Sequence, residues 1–143
     1  MPEDFALLDE FTRDPRTAYF SMEIALRSDI PTYAGGLGVL AGDVVRTAAD
    51  LELSMVAVTL VSREGYFRQE IDGEGRQIEQ PDAWNPAEHC RPLNAAVAIS
   101  IEGRPVWVFG WLFVASGSTG TTPVILLDTD LPMNRDEDRA ITR

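Results

Sequence analysis

The chain has 143 residues, the size of one ordinary domain, and 45% of them are hydrophobic, which is enough to form a core. Its net charge of −11 argues against binding nucleic acid through a basic surface. The longest apolar runs are shorter than a membrane span and no signal-peptide pattern opens the chain, so we expect a soluble cytoplasmic protein.

The basic residues and the cysteine limit the available chemistry. All 12 basic residues are arginine, so no lysine amine can form an imine with a carbonyl group. The single cysteine, Cys90, cannot form an internal disulfide, which is typical of a reducing compartment. His89 beside it offers a thiol–imidazole pair, but adjacent side chains usually point in different directions and the nearby prolines favour a loop.

The first half of the chain predicts a strand–helix–strand unit. Residues 1–16 have the spacing of a short amphipathic helix or a loosely docked arm, and residues 17–22 predict a first buried strand. Apolar residues recur every three or four positions over 37–51, which predicts a helix. The segment 53–61 is rich in β-branched residues, as in a strand buried on both faces. A βαβ unit over 17–61 implies that its two strands are parallel.

The second half is richer in strands. Residues 66–71 alternate like a half-exposed strand and end at a turn over 72–75, whereas the prolines of 76–92 predict an irregular connection. Residues 131–143 are polar and charged, with no apolar face. We expect a mainly parallel sheet of which part is antiparallel. The remaining strands are predicted at 95–101, 105–114 and 123–128, with a hairpin turn at 102–104.

A glycine-rich turn, Gly35-Gly36-Leu37-Gly38, stands directly before the predicted helix. Glycine lets the backbone approach a ligand closely, and Gly36 is expected to need a positive φ. The free N–H groups at the start of the helix, together with the helix dipole, favour an anion such as phosphate. The turn matches neither the Walker pattern nor G-x-G-x-x-G, and a purely structural tight turn remains the alternative.

Four motifs in order carry a resemblance to a known family. They are AYFSME at 18–23, IPTYAGGLGVLAGD at 30–43, GYFRQ at 65–69 and LLDTDLP at 126–132, with further matches over 134–142. Together these motifs resemble the start of the glycogen/α-glucan phosphorylase family, in its short bacterial and archaeal form.

The resemblance implies an α/β fold, namely the Rossmann-like N-terminal lobe of a two-lobed glycosyltransferase-B-type fold with additional β-strands in the second half. Residues 1–16 would be an N-terminal arm and 17–143 a partial N-terminal domain. The family cleaves α-1,4-glucan with phosphate and releases glucose 1-phosphate. Its pyridoxal phosphate is held by a lysine of the C-terminal lobe, so no covalently bound cofactor and no catalytic residue are expected in this chain.

The family's glycine loop surrounds the substrate phosphate and glucose. Carried over, the substrate-binding positions are Gly35, Gly36, Leu37 and Gly38. Asp43, on the following helix, is an additional candidate for orienting the loop or binding a sugar hydroxyl, against the reading of a solvated surface acid. The expected partners are α-glucan, phosphate or glucose 1-phosphate, and a C-terminal lobe or partner chain. The preferred glucan and the oligomeric state, including a homo-oligomer, stay open.

Two other functions remain as alternatives. One is a non-catalytic module that binds phosphate or sugar through the glycine turn. The other is a glycogen-synthase-like glycosyltransferase lobe, because synthases also carry a Gly-Gly-Leu turn. In synthases a lysine precedes that turn, and the flanking motifs of this chain favour the phosphorylase family.

Several other side chains near predicted strand ends are weaker candidates. Glu23 faces the glycine turn, and Tyr33 either closes over a glucose ring or packs beside the turn. Asp128 and Asp130 resemble a metal-binding pair but lack a third ligand. Trp107 and Trp111 either form an aromatic platform for a sugar or pack in the core. The acidic run 136–138 is most simply a solvated surface segment.

Overall fold

The computed structural model describes residues 17–143, so the predicted arm over 1–16 lies outside the described residues. The fold is α/β, with a five-stranded mixed sheet, a separate two-stranded sheet and few helices. Single 3₁₀ turns cover Pro86–Glu88 and Ala140–Thr142. The strands are β1 Thr17–Phe20, β2 Met55–Leu60, β3 Phe67–Ile71, β4 Gln77–Pro81, β5 Arg91–Ile101, β6 Arg104–Ser116 and β7 Thr121–Asp128, and the helices are α1 Gly36–Asp50 and α2 Asp136–Arg139.

The predicted βαβ unit is confirmed. Helix α1 connects β1 to β2, and these two strands pair in parallel, with Thr17 opposite Met55. The expectation that the first strand is buried is wrong, because β1 is mostly exposed at the edge of the sheet. The predicted apolar stripe is only partly buried: Ala41, Val45 and Ala48 face the core, whereas the side chains of Leu37, Leu40 and Leu51 are exposed. Burying this face against the sheet supplies most of the stability of such a helix.

The five-stranded sheet is mixed rather than mainly parallel, with the strand order β1-β2-β7-β6-β5. β7 pairs in parallel with β2 and antiparallel with β6, and β6 pairs antiparallel with β5. The antiparallel pairing of β5 with β6 follows from a two-residue hairpin turn between them. Its residues Glu102 and Gly103 have φ values of 50° and 78°, the left-handed geometry of a tight hairpin.

The core lies between α1 and one face of the sheet. It also includes the segment between β1 and α1, which contributes Ile24, Leu26 and Ile30. Thr32 fixes this segment because its hydroxyl donates to the carbonyl of Ile24 at 2.7 Å. The main buried side chains of this core are Ile24, Ile30, Val45, Ala57, Val61, Val124 and Leu126.

The prediction of an irregular connection over 76–92 is wrong in its first part. β4 pairs antiparallel with β3 over five residue pairs, from Phe67 opposite Pro81 to Ile71 opposite Gln77. β4 reads Gln-Ile-Glu-Gln-Pro and is mostly exposed, so it carries no hydrophobic pattern that marks a strand. Its strand conformation comes from pairing with β3.

The carboxyl-terminal segment is more buried than its composition predicts. Asp138, assigned to a solvated run, is 1% exposed, although Asp136 and Glu137 are exposed as expected. The guanidinium of Arg104 donates to the Asp138 carboxylate, and the Thr129 hydroxyl donates to the Asp138 carbonyl at 2.7 Å. Arg104 on β6 therefore compensates the buried negative charge of Asp138. The sequence around Asp138 alone does not predict that this residue is buried.

Neither of the helices in the described part of the chain is long and apolar enough to cross a membrane.

Candidate functional site

The glycine turn forms the start of α1, as the sequence predicts. The helix begins at Gly36, and its N-cap residue Gly35 is extended, with φ −161°. No side chain of the described residues caps this end, and the first turn contains no acidic residue. The first N–H groups of a helix have no partner within the helix, so this uncapped end suits an anion or another acceptor.

The four glycines of this region fall into two classes. A Cβ at Gly38 would lie 2.3 Å from the Cβ of Tyr33, and one at Gly42 would lie 2.5 Å from the carbonyl oxygen of Ala25. Packing therefore requires glycine at both positions. A Cβ at Gly35 or Gly36 would meet no heavy atom within 4 Å in the part of the chain that the structure describes.

The expectation of a positive φ at Gly36 is wrong. The described glycines with positive φ are Gly75 and Gly103, which lie in two hairpin turns far along the chain. Gly36 starts a regular helix, where φ is negative for every residue type. Neither internal packing nor backbone conformation accounts for glycine at 35 and 36, and close approach of a ligand remains as a physical reason.

The other two proposed substrate-binding positions differ in their surroundings. Leu37 is 79% exposed and belongs to the open end of α1. Asp43 lies about 10 Å farther along the helix, two turns beyond Gly36, and its carboxylate is 3.7 Å from Arg46. The structure therefore brings Gly35 to Gly38 together and places Asp43 away from them.

Glu23 lies beside the turn, as the sequence indicates, and holds Ala34, the residue directly before it. One carboxylate oxygen accepts from the N–H of Ala34 at 3.4 Å, and the other accepts from the hydroxyl of Tyr66 at 3.1 Å. Burial, and then the charge of Glu23, raise the pKa of Tyr66 to about 12. Tyr66 was not among the candidate residues predicted from the sequence. It belongs to the GYFRQ motif at 65–69, which could have indicated it.

The main chain fixes the far side of the turn. The N–H of Ala25 donates to the carbonyl of Gly38 at 2.9 Å, and the N–H of Ile24 donates to that of Thr32. The side chain of Tyr33 packs against Gly38. Packing beside the turn is therefore the role of Tyr33 in this structure.

His89 and Cys90 do not form an activated thiol. Cys90 is buried, and burial raises the pKa of its thiol to about 12. Nδ1 of His89 lies 3.2 Å from an Arg27 nitrogen, and its ring stacks with Trp84. The thiol keeps its proton at neutral pH, so it is a poor nucleophile.

The carboxylates of Asp128 and Asp130, proposed as a metal-binding pair, are hydrogen-bonded to arginine side chains. Arg63 and the Trp111 indole donate to Asp128, and Arg139 donates to Asp130 at 2.7 Å. The described residues contain no group of three or more histidine, cysteine, aspartate or glutamate side chains that could hold a metal.

The two tryptophans of β6 are placed differently. Trp111 packs against the core and donates from its indole nitrogen to Asp128 at 2.8 Å. Trp107 is 39% exposed. Its backbone N–H donates to the side-chain oxygen of Asn134, and its carbonyl accepts from the side-chain nitrogen of Asn134. Core packing therefore explains Trp111, and the structure does not form a two-ring platform from the pair.

Comparison with curated proteins shows which family these features belong to. The chain is 38% identical over 130 residues to a maltodextrin phosphorylase of Thermococcus litoralis, a match that covers 86% of this chain and 15% of that protein. It is 36% identical over 137 residues to a glycogen phosphorylase of Mycobacterium tuberculosis, covering 87% and 15% respectively. The chain is a partial glycogen phosphorylase-family sequence. A glycogen phosphorylase of Aquifex aeolicus is 31% identical over 133 residues, covering 87% of this chain and 18% of that protein.

These matches confirm the resemblance that the four motifs carry. No protein-family model matches this phosphorylase-family chain. The chain spans 15% of the length of the first curated relatives that it matches. The activity of a whole phosphorylase is therefore a proposal for this chain.

Proposed function

We propose that this chain is the N-terminal α/β lobe, or part of it, of an α-glucan phosphorylase that releases glucose 1-phosphate from α-1,4-glucan and phosphate. In this proposal the lobe belongs to a two-lobed glycosyltransferase-B-type fold and works in the cytoplasm. Its role is to bind the phosphate and glucose groups at the glycine turn. The uncapped start of α1, with open space at Gly35 and Gly36, is the observation that carries the proposal.

The turn suits a phosphoryl group for two physical reasons. Its N–H groups point the same way along the helix axis, and the helix dipole adds about 0.3–1 kcal/mol for an anion near the first turn. The chain as a whole carries a net charge of −11, which repels anions. Local binding must therefore come from oriented N–H groups rather than from the overall field of the protein.

Pyridoxal phosphate, the family cofactor, does not fit covalent attachment to this chain. Every cationic side chain is an arginine, and a guanidinium does not form the imine that holds this cofactor. We propose that a C-terminal lobe or a partner chain supplies the lysine and the remaining wall of the cleft. This chain then contributes one side of the substrate site.

A phosphate titration followed by backbone amide chemical shifts tests the proposal. We expect the amides of Gly35 to Gly38 to move with a Kd in the millimolar range or weaker, about −4 kcal/mol or less favourable. A chloride titration at the same ionic strength is the control for general salt effects. If these amides stay still while arginine signals move, the turn is only structural and the proposal is wrong.

The variant Gly36→Val sharpens the test. A Cβ at 36 meets open space and φ is not positive, so the variant should fold, yet its methyl groups would cover the N–H groups that receive the anion. We expect phosphate shifts at the turn to disappear. Gly73→Val is the matched control, because Gly73 is equally open and lies in the β3–β4 turn.

A further inference from the structure

We propose that Tyr66 is a positioning residue for the glycine turn and that it acts through Glu23. The inference builds on the proposed role of the turn as a binding site. Tyr66 follows β2 on the way to β3, whereas the turn precedes α1, so the contact joins two segments that are distant in sequence.

The geometry is a bridge with the carboxylate of Glu23 at its centre. Tyr66 donates to Oε1 at 3.1 Å, and Ala34, the residue directly before Gly35, donates to Oε2 at 3.4 Å. The main chain of Glu23 is itself fixed, because the Ser21 hydroxyl donates to its carbonyl at 2.7 Å. A carboxylate bound at both oxygens has its orientation restricted, and it transmits that restriction to Ala34.

The turn needs such a restraint at its upstream end. Gly38 is held by the N–H of Ala25 and by packing against Tyr33. Gly35 and Gly36 have no such packing among the described residues, and two successive glycines have the largest backbone freedom of any pair. The carbonyl of Gly35 accepts from the N–H of Val39 at 3.2 Å, so the helix holds the turn from one side. Fixing Ala34 restrains the turn from the other side and preorganises its N–H groups.

Tyr66 is suited to the task because it is a neutral donor. The Tyr66 hydroxyl keeps its proton through the neutral range, since burial and the charge of Glu23 raise its pKa. Elsewhere in the described chain, arginines bind carboxylates such as Asp128 and Asp138. An arginine at 66 would itself attract phosphate, whereas a phenol orients Glu23 without adding a competing cation.

The variant Tyr66→Phe removes the hydroxyl without changing any charge. We expect hydrogen exchange at the Ala34 and Gly35 amides to become several-fold faster, and the slope of the phosphate titration at the turn to fall by about 3- to 10-fold. Exchange in the middle of α1, at Val45 and Ala48, should stay unchanged. Tyr19→Phe, which removes a hydroxyl from a residue packed on the core, is the control.

The variant Glu23→Ala sets loss of orientation against loss of charge, because it removes both carboxylate contacts, whereas a glutamine could still accept from Ala34 and donate to the Tyr66 hydroxyl. Removing a negative charge alone would tighten phosphate binding, whereas loss of orientation weakens it, and we expect weaker binding. Wild-type exchange at Ala34 and wild-type phosphate response in Tyr66→Phe would overturn the inference. If the wild-type chain binds no phosphate, the proposed function fails, and the exchange rates at Ala34 and Gly35 still decide the role of Tyr66.

Discussion

Nη2 of Arg104 lies 2.7 Å from Oδ1 of Asp138, joining the start of β6 to the short helix α2. The Asp138 side chain is 2% exposed, so it depends on this partner for the hydrogen bonds that water would otherwise make. The contact ties the last described residues to the sheet.

Asp138→Ala should lower the free energy of unfolding by about 2 kcal/mol, because it breaks a buried hydrogen-bond network. Urea unfolding followed by tryptophan fluorescence measures the change. Asp136→Ala is the matched control, since Asp136 is on the same helix and its side chain is fully exposed. Equal midpoints for the two variants would contradict a structural role for Asp138.

Glycine substitutions in the turn should differ sharply by position. Gly38→Ala puts a Cβ 2.3 Å from the Cβ of Tyr33, and we expect a loss of about 1–3 kcal/mol through overpacking. Gly36→Ala meets open space and should be neutral, or stabilising by up to about 1 kcal/mol. Thermal unfolding of both variants distinguishes the positions, and similar losses would show that the turn is packed at both.

The fold should lose stability at alkaline pH. Burial raises the pKa of Cys90 from 9.0 to about 12, and burial with the Glu23 charge raises that of Tyr66 from 10.0 to about 12. Above pH 9 the unfolded chain releases protons that the folded chain retains, so stability falls as pH rises from 9 to 12.

Urea midpoints measured between pH 8 and about pH 11 test this loss. In Cys90→Ala the loss of stability that begins near pH 9 should be smaller. In Tyr66→Phe the further loss above pH 10 should be smaller. Unchanged slopes in both variants would mean that other groups cause the effect. Alkylation of Cys90 at pH 8 should also be slow in the native protein and fast in urea.

The purified chain should release no glucose 1-phosphate from maltodextrin, even with phosphate and pyridoxal phosphate added. It lacks a lysine for the cofactor, and we propose that the opposite wall of the cleft belongs to another lobe or chain. A coupled assay for glucose 1-phosphate measures the release. Glucose 1-phosphate above the level of a protein-free blank would contradict this expectation if the Gly36→Val variant released none.

The sequence predicted the elements that carry a strong hydrophobic pattern. Helix α1 was expected over 37–51 and spans Gly36–Asp50, and the parallel β1–β2 pair follows from it. The location of the glycine turn was also predictable, because it lies where the apolar period of the helix begins. The comparisons confirmed the family, which four ordered motifs had already indicated.

Contacts between distant residues could not be predicted. Arg104 and Asp138 are 34 positions apart, and Glu23 and Tyr66 are 43 apart, and no periodic pattern connects such pairs. β4 was missed because its exposed polar residues form a strand only through pairing. The φ of Gly36 was mispredicted because Gly36 is the first residue of a regular helix and not the corner of a tight turn.

The position of β7 decides the order in which this fold can assemble. β7 is the last described strand in sequence, yet it lies at the centre of the sheet between β2 and β6. During synthesis, the βαβ unit therefore leaves the ribosome with one side of β2 unpaired, and β5 and β6 can pair only with each other. The two halves join when residues 121–128 emerge, so the sheet closes in one late, long-range step, which slows folding and leaves apolar strand edges open to chaperones until then.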